Sequence, residues 1–415
     1  MKPGIDIMES EENKPKKLYP WYVLVIADVL LTAVILCTFS YFHHVRMLWG
    51  LGPYKNNDDA AVYKITKPVA QTTEAVPVTE PVTTAEEITE PPIAVSEQPS
   101  SEEPADGGEE LDVSGDFGAL FPAVFIQDGE RVTLNSDEEI KVYAAENGII
   151  LREDPKSSYI ALYRSHDIFL TVQEVDHGLD SWGIDYPLQY YVFDIYVRNI
   201  ENLFAGYSSG TRYPAHTLIE KTEEENGVSV IAAVNGDYVT NRNHCLICER
   251  NGNILRDIPK RIESDICVLY YDGTIETITP DNYDWSSIEA KAPYQIWDFG
   301  PALIDGSGKA IDKFDYNAYD NNIMDSTHPR TSIGYYGPGH YNFVVVDGRS
   351  DDSRGVKMAQ LAEIQESLGC KAAYNMDGGD SSQAYFCDTV VRESVRRKDG
   401  QRKLPDLVCV GEVSE

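Results

Sequence analysis

The segment Ala372–Ser382 constrains the fold more strongly than any other part of the chain. A short apolar run ends there in Asn375 and Asp377, followed by two glycines, Asp380 and two serines. An apolar run of this kind anchors a strand in a sheet, and glycine permits positive φ or close approach of a ligand to the backbone. The pattern predicts a buried strand that delivers polar groups into a cleft. The alternative is a tight turn whose polar residues cap the next strand.

From about residue 111 the composition is globular, and strand-like runs dominate it. Hairpins are indicated by Asn251-Gly252 and Asp272-Gly273, each between apolar runs. Two amphipathic helices are predicted, each ended by a glycine. These elements predict an α+β (mixed α/β) fold with a largely antiparallel sheet core and interspersed helices. The predicted strands include Ile168–Val175, Tyr190–Val197, Val228–Val234 and Asn342–Val346, and the helices are Pro214–Asn226 and Val356–Leu368.

An apolar stretch near the N-terminus predicts a membrane anchor. Residues 21–42 are 22 consecutive residues with a single charge, Asp28, and this length suffices to cross a hydrocarbon core. Lys14, Lys16 and Lys17 lie just before the stretch, a bias that favours residues 1–20 in the cytoplasm and the main domain outside the cell. No small-residue cleavage site follows, which favours an uncleaved signal-anchor. A buried core helix is the alternative.

Residues 43–110 are predicted to form a disordered linker. They are rich in Thr, Pro and Glu, and no Lys or Arg occurs between Lys67 and Arg131. Such a composition cannot bury enough apolar surface to order itself, and proline and self-repulsion keep it extended. The linker would hold the rest of the chain away from the membrane. The remainder is predicted to divide into a small strand-rich lead-in at 111–158 and a main domain at 159–415.

The net charge of −33 argues against nucleic acid as a partner, because its phosphates would be repelled. It also disfavours peripheral binding to anionic membrane surfaces. A locally basic pocket for an anionic substrate remains compatible with this charge.

The sequence identifies no certain cofactor. His244-Cys245-x-x-Cys248 could form half of a zinc site, but no second Cys-x-x-Cys occurs. Local disulfides and buried thiols are the alternatives, since six of the seven cysteines would lie outside the cytoplasm. Asp347, Asp351 and Asp352 could bind Ca²⁺ or form a solvated acidic loop, and they lack EF-hand spacing.

Four apolar runs end in similar polar clusters, at 232–238, 328–334, 344–349 and 375–382. Each cluster alone is typical of a turn, and a lone arginine is typical of a solvated surface. Four such clusters together indicate a functional site, because binding and catalytic residues concentrate on loops held by a rigid sheet. We therefore expect them to form one site. The candidate residues are Asn235, Gly236, Asp237, Arg330, Thr331, Ser332, Asp347, Arg349, Asn375, Asp377, Gly378, Gly379, Ser381 and Ser382.

In this order the clusters resemble the motifs of the phosphodiester glycosidase family, over roughly Tyr159 to Val413. Val239 replaces the family's usual aromatic residue, and Asp380 replaces the third glycine of the last motif. Asp380 adds a carboxylate beside Asp377 that could repel a phosphate or bind a cation. The matching segments are Asn235–Val239 for Asn-Gly-Asp-Tyr-Phe, Arg330–Gly334 for Arg-Thr-Ala-Ile-Gly, Asp347–Arg349 for Asp-Gly-Arg and Asn375–Ser382 for Asn-Leu-Asp-Gly-Gly-Gly-Ser-Ser.

The resemblance implies a membrane-anchored extracellular hydrolase that cleaves a glycosyl-1-phosphodiester in an envelope or exopolysaccharide glycan. Phosphate leaves the anomeric carbon readily, so a strong general acid matters less than in ordinary glycosidases. Arg330 and Arg349 would bind phosphate oxygens through planar guanidinium groups. Asp377 or Asp237 would act as base or nucleophile. We expect Asp377 to be the key carboxylate and Arg330 the main phosphate clamp, while amide and hydroxyl side chains hydrogen-bond sugar or phosphate.

Two other functions fit the same residues. One is a non-catalytic module that binds anionic glycans, against which the presence of both Asp377 and Arg330 argues. The other is a phosphodiesterase that breaks the phosphorus–oxygen bond. Solvent ¹⁸O separates the two hydrolases, because the label enters the sugar in one and the phosphate in the other.

Overall fold

The structure is a computed structural model that describes residues 115–126, 130–177, 186–208, 210–239, 245–314, 319, 321–392 and 402–413. The predicted cytoplasmic tail, membrane span and linker lie outside these residues, as does His244. Across the described ranges, none of the helices combines the length and the apolar composition needed to span a bilayer.

Five α-helices and seventeen strands occur within the described ranges. The helices are α1 (Asp137–Glu146), α2 (Ala215–Asn226), α3 (Trp285–Glu289), α4 (Asn321–Met324) and α5 (Met358–Leu368). The first eight strands are β1 (Val132–Leu134), β2 (Ser157–Arg164), β3 (Ile168–His177), β4 (Leu188–Val197), β5 (Leu203–Tyr207), β6 (Val228–Asn235), β7 (Glu249–Arg250) and β8 (Asn253–Ile254). The others are β9 (Ile266–Tyr270), β10 (Ile275–Ile278), β11 (Pro293–Trp297), β12 (Arg330–Gly337), β13 (His340–Val346), β14 (Ala372–Asn375), β15 (Ala384–Phe386), β16 (Thr389–Arg392) and β17 (Asp406–Val413).

The described strands form three sheets. Sheet A has seven strands in the order β1-β2-β3-β4-β13-β12-β14, sheet B has five in the order β10-β9-β11-β7-β8, and sheet C has five in the order β16-β15-β6-β17-β5. Every pairing within the described ranges is antiparallel. The predicted mixed fold with a largely antiparallel core is therefore confirmed for this part of the chain.

The main core lies where residues of all three sheets pack together. Phe343 of sheet A, Trp297 of sheet B and Val234 of sheet C belong to one buried cluster. Successive residues of a strand point to opposite faces, so Val344 packs instead in a second cluster with Leu361 of α5. The central strands of sheet A are buried on both faces, and their ends are the edges at which polar groups can be displayed.

The two predicted helices are present, and each ends where its glycine adopts a left-handed conformation. Gly227 follows α2 with φ of 67°, and its N–H donates to the carbonyl of Glu223. Gly369 follows α5 with φ of 87°. A residue with a Cβ would be strained at either position, which explains why glycine marks both boundaries.

The predicted lead-in at 111–158 contains one short strand and one helix among the residues that the structure describes there. They contain the three-residue β1 and the ten-residue α1. Acidic Asp137, Glu138 and Glu139 occupy the first turn of α1, where they favour a helix by interaction with its dipole. The expected boundary after residue 158 falls inside β2, which pairs with both β1 and β3, so the lead-in is part of sheet A.

Candidate active site

The ends of β6 in sheet C and β14 in sheet A are joined through the side chain of Asn235. Its Nδ2 donates to the carbonyl oxygen of Asp377 at 2.6 Å, and its Oδ1 accepts from the Thr331 hydroxyl at 2.7 Å. The same Oδ1 accepts from the N–H of Gln383 at 3.2 Å. The N–H of Asp377 donates to the carbonyl of Gly236 at 3.2 Å. Asn235 is 1% exposed, so it fixes the position of Asp377 rather than facing a ligand.

The Asp377 carboxyl group is half-buried at this junction. Its Oδ1 accepts from the N–H of Gly378 at 2.8 Å. Burial raises the pKa of Asp377 to about 6, and Asp237 adds to the rise, although hydrogen bonds from Ser381 and Gly378 and the charge of Arg402 favour the ionised form. A carboxyl group that exchanges its proton near neutral pH suits acid–base or nucleophilic chemistry.

The glycines after Asp377 allow the loop to pass close to its neighbours. Gly379 has φ of +64°, and a Cβ there would lie 2.9 Å from Nη2 of Arg349. A Cβ on Gly378 would lie 3.0 Å from the carbonyl oxygen of Pro329. Glycine is therefore required at position 379 by the backbone conformation and at position 378 by the limited space.

Asp237 lies beneath the site in a buried ion-pair network that the sequence did not reveal. Nη2 of Arg250 lies 2.9 Å from Oδ2 of Asp237 and 2.8 Å from Oδ2 of Asp406, with all three side chains fully buried. Asp237 also accepts from the N–H of Asp298 at 3.1 Å. A Cβ on Gly236 would lie 2.1 Å from the Asp406 carboxylate. Asp237, which was predicted to be a base or nucleophile, is thus held by Arg250 below Asp377.

Arg330 is 3% exposed and uses its guanidinium group to hold backbone. Nε donates to the carbonyl of Val356 at 3.3 Å, and Nη2 donates to the carbonyls of Ile323 and Ser326. Burial lowers the pKa of Arg330 to about 10, and the charge of Arg349 contributes. The role of Arg330 as the main phosphate clamp stays a prediction. In this structure its guanidinium group donates to backbone carbonyls of the same chain.

Arg349 is exposed and is paired with Asp380. Nη1 of Arg349 donates to Oδ1 of Asp380 at 2.6 Å, and Nη2 lies 3.2 Å from Nδ1 of His328. Asp380, the residue that replaces a glycine of the family motif, therefore forms a salt bridge with the guanidinium group of Arg349.

Asp347 is paired with Arg392, a residue that the sequence did not single out. Nη2 and Nε of Arg392 donate to Oδ1 of Asp347 at 2.8 and 3.0 Å, and Nη1 donates to the carbonyl of Ser382. Asp351 and Asp352 are exposed. In the part of the chain that the structure describes, no group of three or more His, Cys, Asp or Glu side chains is placed to hold a metal ion.

Ser332 and Thr331 lie on opposite faces of β12. Thr331 contacts Asn235, whereas the Ser332 hydroxyl accepts from Nε2 of Gln365 at 2.8 Å in a buried network that includes Asn342. The structure therefore brings Thr331 to the site and places Ser332 behind the sheet, against α5.

The remaining predicted polar residues also line the junction or support it. Nδ2 of Asn375 donates to the carbonyl of Gly300 at 2.7 Å, while its buried Oδ1 has no donor among the described residues. Ser381 hydrogen-bonds the Asp377 carboxyl group. The Ser382 hydroxyl is buried, with no partner in the described ranges.

Two further arginines, Arg212 and Arg402, lie near Tyr238, and the charge of Arg402 also acts on Asp377. The guanidinium carbon of Arg212 lies 4.8 Å from the centre of the Tyr238 ring, and hydrogen bonding with Arg212 lowers the pKa of Tyr238. An antiparallel bridge joins Tyr213 to Leu404, which holds together the two segments that carry these arginines. No sequence pattern distinguishes these arginines from surface residues.

Asp377 is not among the residues that line the two cavities described here, one of which is lined by Cys245 of the Cys-x-x-Cys pair. Cys245 and Cys248 are both buried and unlinked, and hydrogen bonding with Cys248, together with burial, raises the pKa of Cys245. A cavity of about 280 Å³ is lined by Cys245, Leu246, Leu255, Arg256 and Asp257, and one of about 660 Å³ lies between α1 and residues 149–159.

Comparison with known proteins gives one family match. Residues 229–411 match the family model described as phosphodiester glycosidase. A SPbeta prophage-derived uncharacterized protein, YomE, of Bacillus subtilis (strain 168) is 31% identical over 120 residues, which are 29% of this chain and 18% of that protein. The chain therefore matches less than a fifth of the length of this curated relative.

Two solved structures are also among the matches. The zebrafish N-acetylglucosamine-1-phosphodiester alpha-N-acetylglucosaminidase catalytic domain, auto-inhibited by its pro-peptide, has a TM-score of 0.44 and 16% identity, covering 68% of this chain and 89% of that one. A hypothetical protein from Synechocystis has a TM-score of 0.43 and 13% identity, covering 63% of this chain and 64% of that one.

Proposed function

Residues 229–411 belong to the phosphodiester glycosidase family, and from that premise we propose that this protein hydrolyses a glycosyl-1-phosphodiester between the anomeric carbon and the phosphate oxygen. The observation that carries the proposal is the position of Asp377. Its half-buried carboxyl group has a pKa raised to about 6 by burial, lies within reach of the charge of Arg402, and is positioned at the seam of two sheets.

The chemistry follows from the leaving group. A phosphomonoester departs from the anomeric carbon as a stable anion, so protonation of the leaving oxygen is less important than in ordinary glycosidases. Ionised Asp377 would attack the anomeric carbon or take a proton from the attacking water. Ser381 and the N–H of Gly378 hydrogen-bond the carboxylate and hold it in place. Asn235 holds the backbone of the same residue.

The finer parts of the proposal concern the substrate and the location. We place the substrate in an envelope or exopolysaccharide glycan outside the cell, with residues 21–42 as a membrane anchor and 43–110 as a stalk. The apolar run of 22 residues and the Thr/Pro/Glu-rich segment after it support this arrangement. The net charge of −33 supports a substrate other than nucleic acid.

The test uses the full chain and a panel of sugar-1-phosphodiesters, with free sugar and phosphomonoester measured as products. Wild-type protein is expected to release both, Asp377→Asn to release neither, and Asp281→Asn, which alters an exposed aspartate, to match the wild type. In H₂¹⁸O the label is expected in the sugar. Label in the phosphate would show a phosphodiesterase, and glycan binding without turnover of any panel member would show a binding module.

A further inference from the structure

Cys245 and Cys248 form a pair of thiols in a small buried cluster. Both are buried and unlinked, and their side chains hydrogen-bond each other. They pack with Val239 and Tyr207, whereas the other four cysteines of the described ranges lie in or against different clusters of the core. Thiols in hydrogen-bond contact need only a small movement to form a disulfide, which joins Cβ atoms about 4 Å apart.

The two thiols differ in how a reagent can reach them. Cys245 lines a cavity of about 280 Å³, which is also lined by the exposed residue Asp257. Cys248 does not line this cavity. A small molecule in the cavity therefore meets Cys245 first, and Cys248 lies beside it as a second thiol.

The two residues between the cysteines connect the pair to the candidate active site. The N–H groups of Leu246 and Ile247 donate to Oδ2 of Asp298 at 2.6 and 3.2 Å. The N–H of Asp298 donates in turn to Oδ2 of Asp237 at 3.1 Å. Val239, two residues after Asp237, packs in the same cluster as the cysteines. A cross-link between the cysteines would therefore restrain the loop that holds Asp298 and, through it, Asp237.

We propose that Cys245 and Cys248 form a reversible disulfide that braces the loop bound to Asp298, with a low-molecular-weight disulfide as the oxidant. In the first step the Cys245 sulfur attacks one sulfur of the oxidant, and one thiol leaves with the proton of Cys245. In the second step the Cys248 sulfur attacks that of Cys245, and the second thiol leaves with the proton of Cys248. Two cysteine thiols lose two electrons, and one disulfide is reduced to two thiols. The inference does not depend on the proposed substrate.

The test treats the full chain with oxidised glutathione, alkylates the remaining thiols and measures the masses of proteolytic peptides. The wild-type peptide that holds both cysteines is expected to lose two hydrogen atoms and to carry neither glutathione nor the alkyl group. Because burial and hydrogen bonding with Cys248 raise the pKa of Cys245, oxidation should be faster at about pH 9 than at about pH 7. The midpoint of thermal unfolding should rise by on the order of 3 °C, since the cross-link constrains the unfolded chain.

Single variants test the order of the two steps. Cys248→Ala is expected to stop at the mixed disulfide, with one glutathionyl group on Cys245. Cys245→Ala should leave Cys248 unmodified, because Cys248 does not line the cavity. Cys387→Ala is the matched control, since Cys387 is less buried than the pair and its removal should leave the cross-link unchanged.

The wild-type masses decide the proposal even where a variant fails to fold. Two free thiols at Cys245 and Cys248 after oxidation would show inert buried cysteines and overturn the inference. A cross-link from either residue to a different cysteine would overturn it as well.

Discussion

The side-chain amide of Asn235 donates to the backbone carbonyl of Asp377 across a distance of 2.6 Å. The two residues are 142 positions apart in the chain and belong to the ends of strands in different sheets. A residue that the motif suggests for substrate contact therefore sets the position of the proposed catalytic carboxylate from behind. The distinction matters for how variants at the two positions will behave.

Asn235→Ala is expected to lose both stability and turnover. It leaves the Thr331 hydroxyl, the Gln383 N–H and the Asp377 carbonyl without their buried partner, which costs on the order of 2–4 kcal/mol. Denaturant unfolding and kcat measured on the same preparations test this expectation. Asn282→Ala, which alters an exposed asparagine, is the control. Wild-type stability in Asn235→Ala would show that the three contacts do not hold the junction.

The turnover rate is expected to rise with pH through the pKa of Asp377. Burial raises that pKa to about 6, and a base or nucleophile acts in its ionised form. The value of kcat/KM should rise about tenfold per pH unit below pH 6 and level off above it. Asp298, whose pKa burial also raises to about 6, is the control residue. The rise of kcat/KM below pH 6 should persist in Asp298→Asn. Its disappearance in that variant would assign this pH dependence to Asp298 instead of Asp377.

Glu249 is expected to make the folded state less stable as pH rises. Burial raises the pKa of Glu249 to about 8 from an ordinary value of 4.5, despite the nearby charge of Arg250. A carboxyl group with a raised folded-state pKa stabilises the fold fully below its unfolded pKa, and this contribution is lost as pH rises to the folded value. The loss is on the order of 4 kcal/mol. Unfolding of Glu249→Gln at pH 5 and pH 9 should show a much smaller dependence on pH than the wild type, and equal dependence would refute the assignment.

Arg250→Leu is expected to be strongly destabilising. It leaves Asp237 and Asp406 fully buried without their shared cation, and breaking a buried pair in this way costs about 3–5 kcal/mol. The stability of Arg250→Lys should lie between those of the wild type and Arg250→Leu, because an ammonium group keeps the charge but lacks the planar guanidinium that reaches both carboxylates. The control is Arg261→Leu, where the guanidinium lies 4.0 Å from Glu263 with both side chains exposed. Urea midpoints rank the four proteins.

Ser381→Ala and Ser332→Ala are expected to differ although both serines occur in the predicted motifs. Ser381 hydrogen-bonds the Asp377 carboxyl group, so its loss should raise the pH midpoint of kcat/KM, since the ionised form loses a donor. Ser332 bonds Gln365 behind the sheet, so its loss should lower stability by about 1 kcal/mol and leave the pH midpoint unchanged. A shift of the pH midpoint in Ser332→Ala but not in Ser381→Ala would show that Ser332, and not Ser381, acts on the Asp377 carboxyl group.

The sequence predicted elements and strand ends well where the signal is local. Gly227 and Gly369 end α2 and α5 as expected, and β6, β13 and β14 carry the polar clusters at their ends. The helix α1 was missed because a short segment without strong amphipathic character gives little periodic signal. The alternation of residues along β12 separates Thr331 from Ser332, but the sequence alone does not say which face points to the site.

The partners of the charged residues could not be predicted in the same way. Arg250 and Asp406 are 156 positions apart, and Arg392 and Asp347 are 45 apart. Pairings of this kind depend on the order of strands in the sheets, which composition and motif spacing do not determine. Arg349 presents the same difficulty, since the Asp380 that neutralises it belongs to a different loop.

Strand β17 lies between β6 and β5 in the interior of sheet C, and its first residue, Asp406, holds Arg250. A protein terminated before Asp406 would leave β6 without its neighbour on one side and Arg250 without one of its two carboxylate partners. During synthesis, the junction that positions Asp377 is therefore one of the last parts of the domain to be completed. A partly made chain would carry every motif of the site but lack the strand beside β6 and the Asp406 partner of Arg250.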